Sequence, residues 1–227
     1  MNFKEMLISK KHSLVISLPA NDSELARIAW EEGADAVKVH INVSHRASKN
    51  HYASFEEEKQ ELLQILADAK GPCGIVAGCD VETVIQDYRN ATEAGYSFVS
   101  LYAHDMPLCL LEDPSIVKMV AFDSSYDMAY LKNLEKLGAD VFEASVMQPE
   151  SYGTRLSMRE LLQYADICGR TSLPVLVPTQ RDIKPHEVGH LLACGVKATM
   201  IGAIVTGKTP DSVRKAVAEF RNAIDKL

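Results

Sequence analysis

Cysteines are few and poorly spaced for a framework: Cys73, Cys79, Cys109, Cys168 and Cys194 form no CxxC pair and are odd in number. Neither a disulfide scaffold nor a zinc ribbon is indicated, and a reducing, cytoplasmic setting is expected. Long apolar runs are missing as well. The run at residues 14–18 follows Lys10 and Lys11 but is too short for a secretory core, and no membrane-spanning segment comes after it. Basic residues are outnumbered, 24 Lys and Arg against 31 Asp and Glu, which gives a formal charge of −7. Binding to nucleic acid or to an anionic membrane relies on clustered Lys and Arg, so neither partner is expected. A local basic pocket for a phosphate is compatible with that balance. No glycine fingerprint follows the first apolar run, where Ser17-Leu-Pro-Ala-Asn-Asp stands, which disfavours a doubly wound dinucleotide fold.

What is present is a regular alternation. With 47% hydrophobic and 24% charged residues in 227, the chain can bury one sizeable core. Short apolar runs at 14–18, 36–41, 74–79, 98–103, 117–122, 141–145, 174–177 and 198–203 read as strands. Helical spacing fills most gaps: 22–33 behind a cap at Asn21 or Asp22, 55–69, 81–95, 128–138, 159–171, 184–194 and 211–225. Residues 106–115 hold two prolines, so the fourth helix is expected to be degenerate. Polar stretches at 42–54 and 147–157 are long loops, and the first has the character of a lid. Eight strand-helix units in this length predict an α/β fold, a single-domain (β/α)8 TIM barrel over residues 1–227, a fold typically of about 250 residues.

In such a barrel strand residues alternate between the interior and the helix layer. Val37, Val39 and Ile41 are placed outward, so Lys38, His40 and Asn42 face in. The same parity places Ser17, Asp80, Ser100, Tyr102, His104, Asp123, Glu143 and Gln180 inside or at the upper rim. That is too much polarity for a core, and the C-terminal strand ends are where such barrels carry active sites. Lys38, Glu143, Asp123, His40 and His104 are the candidate catalytic residues. An inward lysine is costly unless paired, so Lys38 is expected within reach of Asp80, Asp123 or Glu143, either as a structural pair or as a catalytic group. Asp80 and Asp123 also suit helix caps, Asp80 more so. No cofactor is expected. A divalent ion on His40, Asp80, His104 and Asp123 is the minor alternative.

The stretch 174–210 is a strand, helix, strand unit whose strand ends, Thr179-Gln180-Arg181 and Gly202-Ala203, fall on one side of a parallel sheet. Gly202 permits close backbone approach, and a helix follows whose N–H groups favour an anion. Gln180, Arg181, Gly202 and Ala203 are the candidate phosphate-binding residues. Here the chain resembles the ribulose-phosphate-binding barrels, nearest the N-acylmannosamine-6-phosphate 2-epimerase branch. Arg181-Asp-Ile-Lys-Pro-His-Glu-Val, Ala198-Thr-Met-Ile-Gly-Ala-Ile-Val-Thr and Ile116-Val-Lys-Met-Val-Ala-Phe-Asp-Ser carry the likeness. Val37-Lys-Val-His-Ile-Asn-Val is similar to the metal-binding strand of ribulose-5-phosphate 3-epimerases. The resemblance implies a sugar phosphate held by the seventh and eighth strands. The branch's Glu-Gly pair is replaced by Pro178-Thr179-Gln180, and its strand-three lysine by Gly78-Cys79-Asp80. The expected function is an epimerase, isomerase or lyase acting on a sugar phosphate or similar small phosphorylated metabolite, with a proton removed next to a carbonyl. A Schiff-base aldolase on Lys38 and a non-catalytic phosphate-ligand binding protein are the alternatives, and a homodimer is the assembly left open.

Overall fold

A computed structural model describes residues 1–227. Eight strands close into a parallel barrel: β1 (Ser13–Ser17), β2 (Ala36–His40), β5 (Cys73–Val76), β6 (Phe98–Tyr102), β7 (Val117–Ala121), β8 (Val141–Glu143), β9 (Val175–Pro178) and β10 (Ala198–Ile201). Between β2 and β5 lie a two-stranded antiparallel hairpin, β3 (Val43–His45) with β4 (Asn50–Tyr52), and helix α3 (Phe55–Ala67). The remaining helices are α1 (Phe3–Ser9), α2 (Ser23–Glu31), α4 (Val81–Ala94), α5 (Leu108–Leu111), α6 (Met158–Arg170), α7 (Val188–Ala193), α8 (Ala203–Thr206) and α9 (Pro210–Ile224). No helix is long and apolar enough to cross a membrane.

Local chemistry starts the helices where the sequence indicates. Asp22 accepts the Leu25 N–H, and Ser54 and Ser157 form capping boxes with Glu57 and Glu160. The strand parity also holds. Val37 and Val39 join the 49-residue core between strands and helices, whereas Val15, Ala36, Phe98, Met119, Val141, Leu176, Ala198 and Met200 fill the barrel. The larger of these cores is the one that holds the helices on the sheet, as area-proportional burial requires.

Four features depart from the expected elements. The segment before β1 is a helix, α1, capped by Asn2, and its Phe3, Met6 and Leu7 plug the bottom of the barrel. The loop at 42–54 contains the hairpin. The expected helix at 128–138 is two 3-10 segments, Met128–Asn133 and Glu135–Leu137, and nothing in the local sequence accounts for the tighter winding. The short α8 precedes the last helix.

The plug gives a stability test. Phe3 stacks on Phe98 with ring centroids 3.8 Å apart, and a Cβ added to Gly74 would stand 2.1 Å from Phe98 Cε2. Gly74→Ala is therefore expected to unseat that stack at a cost of roughly 1–3 kcal/mol, the usual range for overpacking. A urea midpoint equal to that of the unmodified protein would show that the floor repacks freely.

Candidate active site

The inward polar side chains converge at the C-terminal end of the strands, around a cavity of about 410 Å³. Its floor is a closed triangle. Lys38 Nζ lies 3.3 Å from Glu143 Oε2 and donates to Ser100 Oγ at 3.3 Å, while Ser100 Oγ donates to the same carboxylate oxygen at 2.7 Å. The lysine and glutamate side chains are 5% and 7% exposed, so each charge has lost nearly all its water and the partner must offset that loss. Of the three carboxylates in prospect, Glu143 is the one that meets Lys38.

His40 sits beside this triangle. Asn21 clamps its backbone from both sides, accepting its N–H at 3.2 Å and donating to its carbonyl at 2.6 Å. The rings of His45 and Tyr52 lie over it, at centroid distances of 4.4 and 4.9 Å. The ring is 1% exposed, and neither ring nitrogen has a partner within the chain. Burial, reinforced by the charges of His45 and Lys38, holds its pKa well below the ordinary histidine value. His45 is pushed down to about 4, chiefly by burial and then by Lys38.

The rim is wetter. His104 is half exposed, stacks on Tyr102 and shares a 3.1 Å contact between Nδ1 and the Tyr126 hydroxyl. Asp123 accepts from the N–H and hydroxyl of Ser125 at 2.8 and 2.6 Å. Burial raises its pKa, but those two bonds outweigh burial and leave it below the ordinary carboxylate value. Gln180 is fully engaged: its amide NH2 donates to Ser145 and to the Tyr152 hydroxyl, and its carbonyl accepts the Met147 N–H at 3.0 Å. Asp105, buried beside His104, has its pKa raised by that burial.

Several residues stand elsewhere than parity placed them. Asp80 is exposed and caps α4 through the Thr83 N–H, outside the cavity. Asn42 has φ 53° and turns its amide to Asp87 and the Ala77 carbonyl, which anchors the start of the hairpin. Asx-type residues tolerate that left-handed conformation, which breaks the strand alternation just there. Arg181 sends its guanidinium to Glu160 Oε1 at 2.7 Å and to Ser151 and Thr154, so it does not reach into the cavity. The Gly202 N–H donates to Thr179 Oγ1 at 3.0 Å, and Ala203 opens α8. His40, Asp80, His104 and Asp123 do not gather as a metal-binding group. The HExxH spacing of His186-Glu187-Val188-Gly189-His190, across a 3-10 turn and the start of α7, does not gather a metal-binding group either. Glu187 is instead occupied by the Lys184 N–H and by Arg155. The inward set also omits Arg46, Ser145 and Tyr152, which line the cavity just beyond the strands; Ser145 shares the parity of Glu143, whereas Arg46 and Tyr152 have only a polar loop following a strand as their signal.

Comparison with solved structures agrees with this architecture. Thiamine phosphate pyrophosphorylase from Pyrococcus furiosus superposes with a TM-score of 0.67 at 19% identity, covering 96% of this chain and 98% of that one. The tryptophan synthase A-subunit of Pyrococcus furiosus gives 0.71 at 16% identity, over 92% and 98% of the two chains. A tryptophan synthase chain from Mycobacterium tuberculosis gives 0.74 at 11%, over 97% and 96%. The fold is a (β/α)8 barrel. At such identities the likeness shows the fold alone. No protein-family model and no curated protein matches the chain.

Proposed function

We propose that this barrel is an enzyme acting on a small phosphorylated metabolite with a carbonyl group, as an epimerase, isomerase or lyase that removes a proton from the adjacent carbon. The observation that carries the reading is the Lys38–Glu143–Ser100 triangle on the cavity floor. A buried ion pair is rarely the most stable filling for a core, since apolar residues of similar volume often serve as well or better. Its position at the C-terminal strand ends favours chemistry over architecture. Lys38 is placed to polarise a carbonyl oxygen, and Glu143 to accept the proton from the neighbouring carbon. His40, held neutral, suits a substrate hydroxyl, while Asp123 and His104 face the outer end of the ligand.

The phosphate is assigned to the backbone around Gly202 and Ala203, with that of Gln180 and Arg181; the Gly202 and Gln180 N–H groups already donate to Thr179 Oγ1 and the Pro178 carbonyl, which leaves the Ala203 and Arg181 N–H groups to meet it. Gly202 has φ −139°, and an added Cβ would meet only Ser17, at 3.5 Å. The chain's own packing therefore does not fill that space, and the missing side chain leaves the backbone open to a ligand. The likeness of 198–206 to the N-acylmannosamine-6-phosphate 2-epimerase branch supports the same placement. A neighbour in fold is named as a thiamine phosphate pyrophosphorylase. Gly202→Val is expected to weaken phosphate-ligand binding while leaving the melting temperature nearly unchanged. Collapse of stability first would assign Gly202 to packing.

The test is a panel of sugar phosphates in a thermal-shift assay, where a ligand at 100 times its Kd stabilises by about 2.7 kcal/mol. Stabilising compounds are then incubated in D2O and followed by NMR for exchange of the proton next to the carbonyl. Stabilisation without exchange or turnover would leave the non-catalytic binding protein as the reading, and no stabilisation by any compound would remove the phosphate assignment. Schiff-base chemistry is the second enzymatic reading, favoured by the burial of Lys38 next to a carboxylate able to take its proton. Borohydride trapping of substrate on Lys38 separates the two.

A further inference from the structure

The hairpin crosses the mouth of the barrel. It leaves from β2, and the guanidinium of Arg46 at its turn lies 5.9 Å from the centre of the Tyr152 ring, in the loop after β8. In the closed order β1-β2-β5-β6-β7-β8-β9-β10, β2 and β8 are four strands apart, on opposite sides of the barrel. The returning strand is braced against the loop after β1. The Tyr52 hydroxyl and the Asn50 amide donate to the Pro19 carbonyl at 2.7 and 2.6 Å, and buried Ser48 contacts His45 Nδ1 at 3.0 Å. The turn is thus presented over the cavity by a fixed support.

Lys38 and Arg46 are the only lysine and arginine lining the cavity. Lys38 is neutralised by Glu143, and Arg181 behind the rim by Glu160, whereas Arg46 has no carboxylate partner. Directly under the hairpin lies His40, 1% exposed with both ring nitrogens unpartnered, although buried polar groups are nearly always hydrogen-bonded. A guanidinium without an ion-pair partner, held over a cavity with the charge of Asp123 its nearest compensation on the rim, is the arrangement an anionic ligand would complete.

We propose that Arg46 is an anion-recognition residue: it closes the roof on a phosphate or carboxylate group of the ligand, whose body occupies the cavity below. Guanidinium is suited to this, since its planar fork binds either anion through two parallel hydrogen bonds. The inference rests on reading the cavity as the site for a phosphorylated metabolite, and it adds which group faces the hairpin. The alternatives of a phosphate under Arg46 and a second acidic group there are distinguished by a matched pair of ligands.

The experiment is calorimetric titration of 6-phosphogluconate and of sorbitol 6-phosphate, which differ by a carboxylate, into the unmodified protein, Arg46→Met, Arg46→Lys and Gly202→Val. Arg46 is exposed, so Arg46→Met is expected to fold with an unchanged circular dichroism spectrum. The expected result is a loss of affinity of about tenfold in Arg46→Met, the scale of one charge-assisted contact, with partial retention in Arg46→Lys. A loss confined to 6-phosphogluconate places a carboxylate under Arg46, and an equal loss for both places the phosphate there and moves it off the Gly202 backbone. Binding left unchanged by Arg46→Met but lost in Gly202→Val overturns this proposal alone. Failure of both ligands to bind at millimolar concentration overturns it, and the phosphorylated-ligand reading falls with it when no compound of the panel stabilises the protein.

Discussion

Lys38→Met is expected to abolish turnover of whichever phosphorylated compound the panel identifies and to lower stability by about 3–5 kcal/mol, because Glu143 would remain buried and charged with only Ser100 to answer it. The stability loss and the activity loss are separable. Adding Glu143→Leu to Lys38→Met removes the stranded carboxylate and is expected to recover most of the stability, since a buried pair replaced by apolar residues is often neutral. A structural pair predicts that this double variant regains activity with its fold. A catalytic pair predicts a stable, inactive protein. Urea midpoints and single-turnover assays on the same preparations decide between them, and a Lys38→Met protein with normal turnover would remove the main reason for reading the chain as an enzyme.

Stability is expected to fall as the pH drops from about 7 to 5, above the range in which surface carboxylates titrate. His12, His40 and His45 all have pKa values held down chiefly by burial, to about 4 for His12 and for His45. His12 lies under the barrel edge, with Nδ1 3.1 Å from the Val196 carbonyl and Nε2 2.9 Å from Thr199 Oγ1. Folded, His12 and His45 stay neutral down to about pH 4, and His40 is held down in the same direction; unfolded, all three protonate near 6.5. Between those limits the unfolded chain binds more protons, so acidification favours unfolding. Three such groups give a slope of up to about 4 kcal/mol per pH unit, and His12 alone contributes at most about 3 kcal/mol across its window. Asp105, its pKa raised by burial, acts in the opposite direction, because the folded state holds that proton more tightly than the unfolded chain. Urea unfolding at several pH values measures the slope, and His12→Gln should take about one proton off it. Equal stability at pH 7 and 5 would mean that the cavity hydrates and the imidazoles protonate in place.

Much of this architecture is written locally. Val37 and Val39 against Lys38 and His40 place two faces on one strand, and caps such as Asp22, Ser54 and Ser157 mark where helices begin. A side chain hydrogen-bonding three residues along, or an alternation of period two, needs no knowledge of the rest of the chain. Eight repetitions of the unit then leave the barrel as the natural closure. The alternation reads less well past the strand ends, where Asn42 at φ 53° and Asp80 as a helix cap leave the strand geometry on which parity depends.

The sequence by itself determined the barrel, the inward set that includes Lys38, His40, Ser100 and Glu143, and the end of the barrel where they meet. Only the tertiary structure decided that Lys38 pairs with Glu143, 105 residues away, that Arg181 is drawn off to Glu160, and that α1 plugs the floor. It also decided that a hairpin carries Arg46 across the mouth to Tyr152. The physical reason is that periodicity reports the direction a side chain leaves its own backbone, whereas its partner depends on how many strands close the barrel and how they stagger. Those quantities belong to the closed sheet, and no short stretch of chain contains them.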